Sequence, residues 1–179
     1  MAISTFDGPV RSLNGFFVQG PNNVIAITAS TALTVAAHAG RIIRVGGTLA
    51  SNLTLTLPAI NTTASSPSAG PGTDPNTANN QGAVFTIFVD TTIATSSVKI
   101  ATNTTDRFIG SLLSIDSDTS GAMAGFIPAS TNDFINLNGS TTGGVVGTMI
   151  QITSTAALKY FVSGVIVCTG IPATPFADA

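Results

Sequence analysis

The chain has 179 residues, a formal net charge of −2 and only 8% Asp, Glu, Lys and Arg, against about 25% in an ordinary soluble domain. Glutamate is absent, and His38 and Cys168 are the single residues of their kinds. The thin stock of acids, bases and nucleophiles argues against an enzyme. The scattered Arg11, Arg41, Arg44, Lys99, Arg107 and Lys159 argue against a nucleic-acid partner, and no apolar run approaches the ~18 residues that suggest a membrane span.

Threonine and serine are abundant, glycine and proline plentiful, and good helix formers few. This composition predicts an all-β fold, because Thr favours strands and Ser, Gly and Asn favour turns. The expected architecture is a single antiparallel β-sandwich or barrel-like domain over residues 31–170. An extended N-terminal arm covers residues 1–30, and a short tail covers 171–179. The N-terminus lacks a basic segment followed by an apolar one, so no secretory signal is expected.

Taken in chain order, the arm carries Gly8-Pro9, Gly20-Pro21 and Phe16-Phe17 without sustained alternation. Phe6, Phe16 and Phe17 then need an apolar home on this chain or on a neighbour, which makes them candidate interface anchors. Thr31-Ala32-Leu33-Thr34-Val35 and Arg41-Ile42-Ile43-Arg44-Val45 are short strand candidates, with His38 at the turn between them. Leu53-Thr54-Leu55-Thr56-Leu57 alternates strictly, Leu on one face and Thr on the other, and Pro58 ends it. Residues 60–82 are rich in Ser, Pro, Gly and Asn and lack periodicity, which predicts a long surface loop.

Val84-Phe85-Thr86-Ile87-Phe88-Val89 is apolar at nearly every position, as expected of a central strand covered on both faces. Val98-Lys99-Ile100-Ala101 and Phe108-Ile109-Gly110-Ser111-Leu112 follow as strands. Residues 134–138 and 145–153 flank Gly143-Gly144, a pattern that predicts a β-hairpin. Residues 160–167 make a further strand. The tail, Ile171-Pro172-Ala173-Thr174-Pro175-Phe176, offers Phe176 as another anchor.

No motif carries chemistry. His38 has no Gly-x-Ser-x-Gly elbow to serve, so a hydrolase built on His38, a Ser and an Asp is the least supported reading. Asp116-Ser117-Asp118-Thr119-Ser120-Gly121 begins like a calcium loop. Ile127 then stands where a bidentate Glu is needed, so a plain polar turn is expected, with a weak cation site at Asp116 and Asp118 as the other reading. Gly143-Gly144 lacks the lysine and the helix of a phosphate loop. Cys168 lies in an apolar run and reads as a small buried hydrophobe. No catalytic residue, metal ligand or cofactor is expected.

Several strings in order resemble a family of tailed-bacteriophage head decoration (cement) proteins. They are Leu33-Thr34 through Arg41-Ile42, Leu55-Thr56-Leu57-Pro58-Ala59 and Asp106-Arg107-Phe108-Ile109-Gly110. They continue with Ile135 through Gly144, Gly147-Thr148-Met149-Ile150, and Gly164 through Gly170 ending in Ala173-Thr174-Pro175-Phe176. Two departures stand out: residues 60–82 intervene where such proteins turn quickly, and Lys159-Tyr160 stands where a Trp often precedes the last strand. The resemblance implies a non-enzymatic virion protein, made in the cytoplasm of a bacterial host and placed on the outer capsid surface. Its partners would be the major capsid protein and copies of itself, in such families often as a homotrimer, with neither nucleic acid nor membrane. Arms bearing Phe6 and Phe16-Phe17 would cross subunit boundaries. The alternative reading from composition is a phage tail or fibre module that binds host surface glycans, with residues 60–82 as its recognition loop.

Overall fold

The computed structural model describes residues 21–63, 79–118 and 121–178. Among the described residues thirteen strands form two sheets, and the fold is all-β apart from one short helix and a 3-10 turn at Pro21–Asn23. The larger sheet contains β1 (Val24–Ala26), β3 (Ile42–Thr48), β5 (Val84–Ala94), β11 (Met149–Ala156) and β12 (Lys159–Cys168). Beyond β12 lie β7 (Arg107–Gly110) and β8 (Leu112–Asp116), end to end, and then β9 (Met123–Phe126). The smaller sheet runs in the order β13 (Phe176–Ala177), β10 (Phe134–Leu137), β6 (Val98–Ala101), β4 (Leu53–Thr56) and β2 (Thr31–Ala32).

The sheets are mixed, which corrects the antiparallel expectation. From β1 to β6 the chain passes alternately between them. Each return to the same sheet lays a strand parallel to the previous one: β1, β3 and β5 in the larger sheet, β2, β4 and β6 in the smaller. This half of the molecule is a coil whose turns stack as repeats do in a solenoid. The second half is more antiparallel. The β11–β12 hairpin inserts between β5 and β7/β8, β9 folds back on β8, and β10 pairs antiparallel with β6 and β13.

Alternation explains the core. Leu53, Leu55 and Leu57 are buried, while Thr54 and Thr56 face outward. In register across the smaller sheet, Leu55, Ile100, Ile135 and Phe176 form one inward row. Ile43, Phe85, Ile87, Ile150, Ile152 and Val162 of the larger sheet join the same cluster. A fully buried Leu or Ile contributes about 1.5–3 kcal/mol, so this shared cluster is the main cohesive element. Phe108 lies 6.5 Å from the Tyr160 ring and 6.4 Å from that of Phe176, in tilted geometry.

The domain boundaries shift at both ends. Val24–Ala26, assigned by sequence to the arm, is strand β1 of the larger sheet. Phe176, expected as an anchor in a free tail, is 5% exposed and pairs through β13 with β10, so it belongs to this chain's own core. Phe6, Phe16 and Phe17 lie outside the described residues, as does most of the 60–82 excursion.

Three local expectations also change. The strand expected over 31–35 stops at Ala32. Thr34 then caps helix α1 (Val35–His38), its side chain accepting the Ala37 N–H. A capping hydroxyl competes with strand pairing and wins at this position. β5 has one buried face and one half-buried face rather than two covered ones. Finally, residues 134–138 and 145–153 do not form a hairpin, because β10 is in the smaller sheet and β11 in the larger. The glycine loop between them crosses the molecule. Gly143 and Gly144 are buried there with φ of 91° and 93°, and an added Cβ would lie 2.9 Å from Ile166 Cβ and 2.8 Å from Ile93 Cδ1, respectively. Only glycine fits a left-handed conformation packed that tightly.

Candidate functional site

His38 is committed locally. Its Nδ1 lies 2.9 Å from the Thr34 N–H, which donates to it, and the ring closes the short helix onto its own cap. Asp116 and Asp118 sit at the β8–β9 turn. Asp116 Oδ1 accepts the Asp118 N–H at 3.0 Å, and Asp118 Oδ2 accepts the Gly170 N–H at 2.7 Å. Both carboxylates therefore hold backbone, as in an ordinary Asx-type turn. Cys168 is buried, 3.1 Å from Ser114 Oγ. Among the described residues no three His, Cys, Asp or Glu side chains gather. Two open depressions among the described residues, about 110 and 230 Å³, are lined by uncharged groups apart from Arg44 and Asp90. These two pair with each other at 3.2 Å.

The stem of the 60–82 excursion is firmly held. Asn80, 2% exposed, donates from Nδ2 to Ala59 O at 2.8 Å and accepts the Asn61 N–H at 2.9 Å. Its own carbonyl accepts the Ser154 hydroxyl. Nearby, buried Tyr160 donates its hydroxyl proton to Pro58 O at 2.6 Å, and Asp106 Oδ2 accepts the Ile60 N–H at 3.0 Å. Asp106 Oδ1 is buried without a hydrogen-bond partner. Burial raises the Asp106 carboxyl above the usual carboxylate value, outweighing the Ile60 N–H and the neighbouring Arg107 guanidinium, which lower it. Burial, and then the charge of Asp106, raise the Tyr160 phenol as well. These groups fasten a loop to a sheet.

The feature that sets this surface apart is the outward face of the larger sheet. The registered pairs Phe88–Met149, Met149–Val165 and Val165–Leu113 carry one apolar row across β5, β11, β12 and β8. A second row joins Val167, Ile115 and Met123. Met149, Leu113, Ile115 and Met123 are exposed. Its charged side chains lie toward the borders, at the Arg44–Asp90 pair and at Arg107 and Lys159, which adjoin in register, and a polar row of Thr86, Gln151 and Ser163 crosses the same face. The outward face of the smaller sheet is different: Thr54, Thr56, Lys99 and Asn136 make it polar, and the Lys99 ammonium sits 3.8 Å from the centre of the Phe134 ring.

Strand β8 shows how unusual the apolar face is. It buries Leu112, Ser114 and Asp116 and exposes Leu113 and Ile115. Two polar side chains point inward and two large aliphatic ones outward. The sequence reading placed its interface anchors in the arm and the tail and missed this face. The only signal for it was that 84–89 and 160–167 are apolar in both phases of the alternation. Comparison with family models, with curated proteins and with solved structures found no match to this chain.

Proposed function

We propose that this chain is a structural virion protein that decorates the outer surface of a tailed-phage icosahedral capsid and stabilises it by bridging neighbouring major capsid subunits. The observation that carries this reading is a charge-poor exterior with exposed aliphatic side chains on both a sheet face and loops. Besides the apolar face, Ile127, Val146, Leu158 and Ile171 are exposed at turns and loops. Large exposed apolar surface on a soluble chain marks an interaction site. In this reading the two mixed sheets form a sandwich, and copies associate as a trimer around a local threefold axis.

The strings that carry the family resemblance support a scaffolding role. Residues 135–144 supply β10 and the glycine crossing between sheets, and residues 164–170 end the strand on which that crossing packs. The mechanism is physical: a protein that binds only the assembled lattice stabilises it by mass action, multiplied over symmetric copies.

The test is particle survival. Capsids that carry the chain should withstand heating at low ionic strength better than capsids assembled without it. Equal survival would overturn the reading. Specific retention on a glycan array without affinity for capsids would establish the tail or fibre alternative in its place.

A further inference from the structure

We propose that β9, the last strand of the larger sheet, is a pairing edge for a second copy of this chain, the two β9 strands running antiparallel about a twofold axis at Gly125. This inference is independent of the capsid reading, and it leaves the apolar face of the sheet open.

The free edge follows from the ladder. The Asp116 N–H donates to Ala122 O at 2.9 Å. In the β8–β9 register the bonded pairs are then Asp116–Ala122, Ser114–Ala124 and Leu112–Phe126. Met123 and Gly125 alternate with them, so their N–H and C=O groups point away from β8. β9 has no strand on its other side, and neither residue finds another backbone partner among the described residues. Proteins commonly guard such an edge with charge, a bulge or a proline. Residues 121–127 contain no charged residue and no proline, and the β8–β9 register runs without a shift.

The edge is complementary to itself. An antiparallel partner centred on Gly125 sets Gly125 against Gly125 of the second copy, and Met123 against its Ile127. Met123 is 70% exposed and Ile127 78%. Alternate positions share one side of a strand, so each copy brings a large apolar side chain to meet the other's. Glycine at the centre leaves the approach clear, since nothing lies within 4 Å of an added Cβ at Gly125. Like charges facing each other across identical strands would repel, and this segment has none. The opposite edge is less suited. β1 turns Ile27 toward β3, where its N–H donates to Arg44 O, and offers Val24 and Ala26 outward, a smaller apolar contact.

A twofold contact presents the same patch from both copies. The axis stands across the sheet, so the outward faces of both copies look the same way and their apolar rows lie side by side, uncovered. A strand-to-strand contact is smaller than the ~1,200 Å² that stable complexes bury. Pairing is therefore weak in dilute solution and strengthens where copies are held close together on one surface. It coexists with a threefold contact elsewhere on the chain.

Disulfide capture tests this in the full chain. In the paired strands the two Gly125 Cα atoms stand about 5.5 Å apart, within the range a disulfide spans. Under mild oxidation Gly125→Cys should form linked dimers several-fold faster than Ala26→Cys, an exposed position on β1, while the parent, whose Cys168 is buried, stays monomeric on a non-reducing gel. Capture no faster than at Ala26→Cys would overturn the proposal. Adding Ile127→Asp to Gly125→Cys should slow capture several-fold by setting a charge against Met123 of the second copy; an unchanged rate would overturn the register. A mixture of Gly125→Cys and Ala26→Cys chains that yields chiefly mixed dimers would overturn the twofold pairing in favour of a β9–β1 contact.

Discussion

Gly144 offers a sharp test of the sheet-to-sheet crossing. An alanine there would place its Cβ 2.8 Å from Ile93 Cδ1, 2.9 Å from the Gly139 nitrogen and 3.2 Å from Leu137 Cβ. Gly139 is itself held by its N–H bond to Gly143 O, and Gly144 O accepts the Ile93 N–H, so the loop has little room to retreat. The left-handed backbone costs an alanine about 1 kcal/mol, and overpacking adds about 2 kcal/mol. Gly82 is the control: its φ of 81° is similar, yet nothing lies within 4 Å of an added Cβ. Gly144→Ala should therefore cost about 3 kcal/mol and Gly82→Ala about 1 kcal/mol. For a domain of this size each kcal/mol shifts Tm by roughly 2–4 °C. Thermal unfolding followed by far-ultraviolet circular dichroism reads both. If Gly144→Ala melts no lower than Gly82→Ala, the crossing is not packed as described.

Three further outcomes follow from the stem of the long excursion. Tyr160→Phe removes the donor to Pro58 O from a buried site and should lower stability by about 1–3 kcal/mol, read as a lower urea midpoint at unchanged slope; an unmoved midpoint would count against the bond. Asn80→Ala removes the bonds to Ala59 and Asn61 and should cost about 2 kcal/mol while speeding protease cleavage within residues 60–82; unchanged cleavage would show that the stem is held by other contacts. For Asp106 the sign comes from linkage: its folded-state carboxyl is raised above 3.8, so the folded chain binds the proton more tightly. The Asp106 contribution is therefore greatest below that value and falls as pH rises through the window above it. The Tm difference between the parent and Asp106→Asn should shift toward the parent on acidification from neutral pH, and a difference that stays flat or shifts the other way would refute the assignment.

The fold class was legible because strand alternation is a local property. Leu53, Leu55 and Leu57 had to share one face, and Val98–Ala101 had to be a strand wherever it paired. Pairing direction was not legible, because nothing within Ile42–Thr48 or Val84–Ala94 says whether a neighbour runs parallel. The coil of β1 to β6 depends on where each connection lands, which is a long-range outcome. The same limit explains residues 138–148: two runs flanking paired glycines fit a hairpin and a crossing equally well, and only the packing against Ile93 and Ile166 separates them. Phe176 was misplaced because a proline-rich tail gives no local sign of the strand it joins.

The candidate site was hidden for a related reason. Alternation identifies the two faces of a strand but assigns the more apolar one to the core, and β8 breaks that rule. Turning Leu113 and Ile115 inward would gain about 1.5–3 kcal/mol apiece from burial but would expose Leu112, a net gain of about one such side chain. The chain forgoes this gain and buries Ser114 and Asp116 instead. Part of the compensation is visible: Ser114 Oγ meets Cys168 Sγ, and Asp116 Oδ1 fixes the β8–β9 turn through the Asp118 N–H. Those contacts satisfy the inward polar groups but return nothing for the two exposed aliphatic chains. Leu113 adjoins Val165 and Ile115 adjoins Val167 in register, so a single cover over β8 and β12 removes all four from water at once. Leu113 and Ile115 thus remain as exposed apolar surface suited to contact with another surface.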